Sequence, residues 1–367
     1  MKKTVGFVIV GVLTGLISMD QAFAAKDFKL RGRLGIGASS TPANELEHEF
    51  EMRLGIETKR KKRVKAVVEL RADEDGRETT INDAFIDWRN KAKTSRIRGG
   101  RGKKILGWEF DYSTADRLSI SRSLTYDFLS NRAIVGRDYF VGYQWTKLRE
   151  VEEADEDEGN EGTIEEGRKG STSDLDSSRG DPTHLIDSTD AWKLGIDFHY
   201  NESRDSAFIA SATHSLSENL RLGAWAIFQW TRGQYRVSDS TGLMTSVLYQ
   251  TGIHRAEFEI FYGDDPYRTQ VEKMYGPGRN IRVTSVKGGY ALNVGPINPY
   301  VVGTMFWKDL DHPGDSTREG IFGLRYYLND DLSFAGECRI TKNESSFDTT
   351  SEPYLSRIYA LLGRYYF

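Results

Sequence analysis

Six basic residues, Lys103, Lys104, Arg117, Arg122, Arg132 and Arg137, gather in one stretch of a 367-residue chain. Arginine and lysine facing a water-filled passage lower the electrostatic barrier for anions and raise it for cations. The chemistry on offer is therefore attraction of small anions rather than bond-making. Glu109, Asp111, Asp116 and Asp127 share the stretch, so a nearly balanced field is the competing expectation.

Other chemistries find less support. His48, His184, His199, His214, His254 and His312 form no local motif, and the adjacency of His214 and Ser215 is not the geometry of a nucleophile with its base. No enzyme activity is expected. The sequence shows no metal-ligand spacing, glycine-rich phosphate loop or nucleic-acid module, so no cofactor and no nucleic-acid partner are expected. Residues 150–166 hold ten acids and no base. They lack the Asp-x-Asp-x-Asp-Gly spacing of a calcium loop and read as a solvated, disordered connection spanning 148–189. The basic run 59–63 reads as a charged turn.

The elements that would position the basic residues are strands. In the segment from Phe28 to Ile36, Phe28, Leu30, Leu34 and Ile36 share one parity, and Lys29, Arg31 and Arg33 share the other. His48, Phe50, Met52, Leu54 and Ile56 likewise alternate with Glu47, Glu49, Glu51, Arg53 and Glu57. Leu220, Leu222, Ala224, Ala226, Phe228 and Trp230 repeat the pattern. Period-two alternation marks a sheet with one apolar and one polar face. A soluble sandwich would show it too, but these segments match a tilted membrane crossing of about 9 to 11 residues better than the ~5 to 6 usual in soluble sheets.

Continued along the chain, the alternation predicts strands over 28–37, 46–57, 63–71, 79–89, 95–101, 137–147, 190–201, 205–214, 219–230, 243–252, 255–263, 280–292, 298–307, 318–328, 331–341 and 354–367. Sixteen is even, as an antiparallel single-chain bacterial barrel requires. The expected fold is thus all-β, a transmembrane antiparallel β-barrel of about 16 strands. Trp88, Trp145, Trp192, Trp230 and Trp307 fall at or near strand ends, where amphipathic rings meet a membrane surface. Tyr359, Leu361, Gly363, Tyr365 and Phe367 alternate to a terminal phenylalanine. That ending is similar to the C-terminal strand signal of outer-membrane proteins, which implies the barrel assembly machinery as a partner through Phe367.

Lys2 and Lys3, the apolar run from Val5 to Ile17 and Ala22-Phe23-Ala24 have the order of a cleaved secretory signal peptide over 1–24, leaving 25–367 as the barrel. The run is too short to span a bilayer as a helix. Without Lys2, Lys3 and Asp20 the mature chain carries 48 bases and 53 acids; outside the acidic run the bases exceed the acids by five. Strand parity assigns Arg33 and Arg98, among others, to the lumen. Cys338 is the sole cysteine, so no internal disulfide is possible. One irregularity stands out, since strand parity puts 148–189 at the end with the short turns. Either it is an atypical insertion there, or residues near Leu118 to Phe128 add a strand.

Residues 102–136 are too long and varied for a turn, and connections of that length are commonly functional. They contain Ile105-Leu106-Gly107-Trp108-Glu109 and Arg122-Ser123-Leu124, and lead into Gly136-Arg137-Asp138. Upstream lie Ala84-Phe85-Ile86-Asp87-Trp88 and Ile97-Arg98-Gly99-Gly100-Arg101. Over residues 79–145 this pattern resembles the phosphate-selective porin O and P family, where similar motifs bracket a third loop folded into the pore. The resemblance implies an inward-folded constriction loop, a homotrimer in the cell outer membrane, and passage of small anions such as phosphate. It departs where Ile105-Leu106 replaces the usual Pro-Phe and where Ile120-Ser121-Arg122 replaces Glu-Arg-Ser. A general, carbohydrate or organic-acid channel without anion preference is the alternative; a lipid hydrolase, a protease and a structural barrel are further ones.

Overall fold

The structure is a computed structural model that describes residues 28–40, 46–58, 63–72, 79–108, 118–119, 122–131, 134, 136–148, 190–200, 206–230, 239–266, 268–269, 271, 280–312, 314–329, 331–344 and 354–366. Sixteen strands run in chain order: β1 Phe28–Ser40, β2 Leu46–Thr58, β3 Val64–Ala72, β4 Thr79–Arg89, β5 Ser95–Lys103, β6 Arg137–Leu148, β7 Asp190–Tyr200, β8 Ser206–Ser215, β9 Leu220–Trp230, β10 Ser240–Thr251, β11 His254–Asp264, β12 Arg282–Leu292, β13 Ile297–Trp307, β14 Ser316–Tyr327, β15 Leu332–Glu344 and β16 Tyr354–Tyr366. Each pairs antiparallel with its sequence neighbours, and β1 pairs with β16 through Leu34 opposite Tyr365, so the sheet closes. Closure leaves no unpaired sheet edge. All sixteen expected strands are present, and their ends differ from the expected ones by at most three residues.

Alternation holds, with the apolar parity turned outward. Val141, Ile196, Phe228, Phe322 and Leu361 are exposed on the outer surface, whereas Arg33, Asp87, Arg221, Glu257 and Lys287 are buried on the inner one. This is a soluble protein's arrangement reversed. Aromatic rings stand outward near both ends of the wall. Trp145, Trp192, Tyr249, Tyr326 and Tyr365 lie towards one end, and Tyr139, Tyr200, Trp230 and Tyr262 towards the other.

The two ends differ in their connections. After β4, β8, β10, β12 and β14 the chain turns within two to five residues. The tightest joins Thr251 to His254 through Gly252, whose φ of 52° is a conformation glycine adopts without cost. Longer segments follow β3, β5, β9, β11, β13 and β15. The connection between β6 and β7 falls at the short-turn end, so the predicted parity holds. Among the described residues from Leu118 to Phe128 no strand forms; Leu124–Asn131 is instead a helix, α1. Ser123 caps it by accepting the Tyr126 backbone N–H on its Oγ at 3.3 Å. The predicted signal peptide, the acidic run, Arg117, Arg132 and Phe367 lie outside the described residues.

Alternation breaks on one arc of the inner wall. There Ala207, Ile209, Trp225, Ile227, Met244, Leu248, Phe261, Val283 and Phe306 are apolar and buried although they face inward. Something covers them, and it is the connection between β5 and β6.

Candidate functional site in the barrel interior

The β5–β6 connection starts at Lys104, because β5 runs on to Lys103. From there it crosses the interior to the far wall. Leu106, Trp108, Leu129 and Ile134 join the inward apolar residues of β8 to β13 in one cluster, with Leu124, Tyr126 and Phe128 packed against it. Fully burying a side chain of the Leu or Phe class contributes about 1.5 to 3 kcal/mol. Several such residues make this contact a fixed part of the fold rather than a loose flap.

Polar anchors set its position. The Trp108 backbone N–H donates to Glu259 Oε1 on β11 at 2.8 Å. Gly107 permits the approach: its φ is 81°, and a Cβ there would lie 2.9 Å from the same carboxylate oxygen. Glu259 also accepts from Lys287 Nζ on β12 at 2.9 Å. The Trp108 ring meets Trp225 edge-on at 4.9 Å, and the Arg221 guanidinium lies 5.0 Å from the Trp108 ring centroid.

The helix is held at four further points. The Leu124 N–H donates to Glu319 Oε1 at 3.2 Å, and the Thr125 hydroxyl donates to Ser285 Oγ at 2.8 Å. The Arg339 guanidinium, from β15, pairs with Asp127 at 3.0 Å and also with Glu319. Phe128 lies 4.8 Å from Phe306, ring to ring. A second cluster seats Leu118 among Ala291, Tyr300, Val302 and Ile321. The connection therefore touches β8 to β15, the side of the barrel remote from its own two strands.

The inner wall of β1 to β5, away from these contacts, is charged. Arg33 and Arg53 both reach Glu51 at 2.6 Å. Arg31 lies 3.3 Å from Glu57 and 3.5 Å from Glu69, and Lys65 lies 3.1 Å from Glu57. In these contacts four cations share three carboxylates. Further round, Arg96 pairs with Asp87 at 2.6 Å. Other guanidinium groups sit over rings: Arg98 is 5.5 Å from the Phe140 centroid, and Arg325 is 6.0 Å from that of Tyr300.

The predicted site residues take different places. Arg33 and Arg98 stand on the inner wall, as parity predicts. Arg137 reaches inward to Asp83 at 3.0 Å. Lys104 is buried and paired with Asp138 at 2.8 Å, so its charge is locally balanced. Arg122 lies on the connection with its guanidinium 3.9 Å from the Tyr126 ring centroid. Lys103, last in β5, shares the outward parity of Arg101, which packs beside the outward-facing Tyr139 ring. The structure therefore does not gather these six as a single ring of cations. Glu259, Glu319 and Arg339, which fix the connection, are not singled out by the sequence; Arg221 is expected in the lumen by strand parity but not as a partner of Trp108. The signal for them was apolar residues on both parities of β9 to β11.

These features define the class of fold: a closed sixteen-stranded antiparallel barrel with a polar interior, an apolar exterior and one long connection folded inside. Solved structures of the same architecture cover nearly the whole chain. OmpT of Vibrio cholerae, an outer-membrane protein described in a trimer form, matches with a TM-score of 0.58 at 9% identity over 93% of this chain and 99% of that one. The anion-selective porin of Comamonas acidovorans matches with a TM-score of 0.58 at 11% identity over 93% and 99%. The outer-membrane channel DcaP of Acinetobacter baumannii matches with a TM-score of 0.59 at 10% identity over 93% and 97%. No family model and no curated protein sequence matches the chain.

Proposed function

We propose that this chain is an outer-membrane porin, a water-filled barrel through which small hydrophilic solutes diffuse passively, narrowed by the 104–136 connection and preferring small anions such as phosphate. One observation carries the reading. The connection is clamped to the far inner wall through Trp108 and Asp127, so the remaining passage runs beside the arginine-rich wall of β1 to β5. The outward apolar face supports a membrane setting, because only a closed barrel or a helix satisfies its backbone in lipid. The anion selectivity of the Comamonas acidovorans neighbour supports the preference, and the trimer form of the Vibrio cholerae protein supports a homotrimer.

Export by cleavage after residue 24 and recognition of Phe367 by the barrel assembly machinery complete this reading. Among the predicted cations, Arg33, Arg98 and Arg137 on the wall and Arg122 on the connection are the ones proposed to attract anions; Arg117 and Arg132 would join them from the same connection. Lys103 and Lys104 are proposed to act at the root of the connection rather than at its narrowest point.

A second reading, a general or sugar- and organic-acid-passing channel, is favoured by one specific feature. Several inner cations are matched by carboxylates, as Arg96 is by Asp87 and Arg137 by Asp83. Reversal potentials across a planar bilayer in a steep KCl gradient separate the two. A potential near zero favours the second reading, and a value displaced towards the chloride potential favours the first.

A further inference from the structure

Charge at the short-turn end of the barrel is gathered on one side. The β2–β3 connection reads Lys59, Arg60, Lys61, Lys62 and Arg63, and the β4–β5 turn carries Lys91 and Lys93. Neither holds an acid. The turns after β8, β10, β12 and β14 are the opposite case, with Glu218, Asp330 and Asp331 and no base among them. They expose aliphatic residues instead: Leu216, Ile253, Val294 and Leu328.

The two basic turns are neighbours. The Arg89 backbone N–H donates to the Arg63 carbonyl at 2.9 Å, where β3 meets β4. Asn90 then shapes the second turn. Its backbone N–H donates to the Ser95 carbonyl at 3.0 Å, its Oδ1 accepts the Ser95 N–H at 3.0 Å, and its Nδ2 donates to Thr94 Oγ1 at 2.9 Å. That frame leaves Lys91 and Lys93 exposed, as Arg63 is. Among the described residues no side chain pairs with either lysine. Lys93 has a φ of 56°, a left-handed conformation that favours glycine. A residue held in such a conformation directs attention to what its side chain does.

Aromatic rings fix the level of these cations. Trp88 shares the outward parity of Ile86 and stands between Val64 and Ile97. Trp145 pairs with Ser95, and the Tyr143 hydroxyl lies 3.2 Å from Ser95 Oγ. Such rings settle at the boundary between membrane and water. Cations just beyond them stand at the height of lipid phosphates, and a cluster of about 4 to 8 Lys and Arg beside a membrane attracts anionic headgroups.

We propose that the short-turn rim of β2 to β5 binds an anionic phospholipid of the adjoining leaflet, its phosphate held by Arg63, Lys91 and Lys93. The inference rests on the membrane setting read above and not on conduction. It assigns the rim a partner by charge, on the side of the barrel where the turns are basic and not where they are aliphatic.

The test is native mass spectrometry of the full chain refolded in an uncharged detergent and offered phosphatidylglycerol and phosphatidylcholine with the same acyl chains. The wild-type barrel is expected to retain the phosphatidylglycerol and release the phosphatidylcholine. In the variant Arg63→Gln, Lys91→Gln, Lys93→Gln that retention should fall roughly a hundredfold, from about fivefold per cation. Lys93→Gly separates the lipid from the turn. Glycine suits the left-handed backbone, so this variant should melt no earlier than wild type, yet retention should fall about fivefold. Single-channel conductance of both variants should match wild type. A barrel that retains phosphatidylglycerol without conducting leaves this site standing and removes only the channel. Equal retention of the two lipids overturns the proposal, as does undiminished retention in the triple variant. Phosphatidylglycerol bound only after deletion of 150–166 overturns it too, because the acidic run of the β6–β7 connection, at the same end, would then be the partner of these cations.

Discussion

The backbone N–H of Trp108 donates to the carboxylate of Glu259 at 2.8 Å, joining residues 151 positions apart across the interior of the barrel. Glu259 holds Lys287 with its other oxygen. One side chain thus ties the in-folded connection to two strands of the far wall.

Replacing Glu259 with alanine removes the buried acceptor of the Trp108 N–H and the nearer of the two carboxylates beside the Lys287 ammonium, Glu257 at 3.9 Å remaining. Leaving buried donors unsatisfied costs about 1 to 3 kcal/mol each, more for a charged group. The expected result is a connection that detaches intermittently, read as excess open-channel noise and a larger mean conductance in planar bilayers. Glu259→Gln, which keeps one acceptor, should be milder.

Trp108→Ala tests the apolar part of the same clamp. Trp108 has no exposed surface and lies against Trp225 and Arg221. Truncating a buried Trp costs about 3 to 5 kcal/mol. Because the sixteen-stranded ladder is untouched, the loss should fall on the connection. Protease accessibility of residues 104–136 should rise, while β-sheet circular dichroism stays at the wild-type level.

The wall residues test selectivity. Arg31, Arg33, Arg53 and Lys65 share Glu51, Glu57 and Glu69. Arg33→Gln with Arg53→Gln reverses the local balance, leaving three carboxylates to two cations. The reversal potential should move towards cation preference, and the shift should shrink at high salt, where the Debye length falls to about 3 Å at 1 M. An unchanged potential would place the passage away from this wall.

Val141 is among the most exposed residues of the outward face, in the middle of β6. Val141→Arg should destabilise the barrel in lipid by about 2 to 4 kcal/mol if that position faces the bilayer centre. Gln144→Arg, on the inner parity of the same strand, should change stability little. Urea titrations of refolding into vesicles would compare the two.

The wall was legible in the sequence because a two-faced strand leaves a period-two trace, and the segment from Glu47 to Glu57 carries it without a break. Strand ends came within three residues for a related reason: polar turn residues interrupt the alternation where the chain leaves the sheet. The interior was harder. Trp225 and Ile227 sit on the inward parity of β9, and apolar residues there announce a covering element without identifying it. The stretch from Leu118 to Phe128 could be read as an added strand because eight-residue α1 is too short for its period to emerge. Basic residues grouped in sequence, such as Lys103 and Lys104, diverge in space because adjacent strand positions face opposite ways. The alternation says which residues share a face, whereas contacts such as Arg339 with Asp127, 212 positions apart, depend on closure of the whole sheet.

The most direct test of the account is single-channel recording of the refolded chain in a planar bilayer under a steep KCl gradient. An anion-preferring porin gives stepwise, ohmic openings with a reversal potential displaced towards that of chloride. A barrel that refolds fully yet gives no conductance steps would contradict the channel, and a potential displaced towards potassium would contradict its preference for anions.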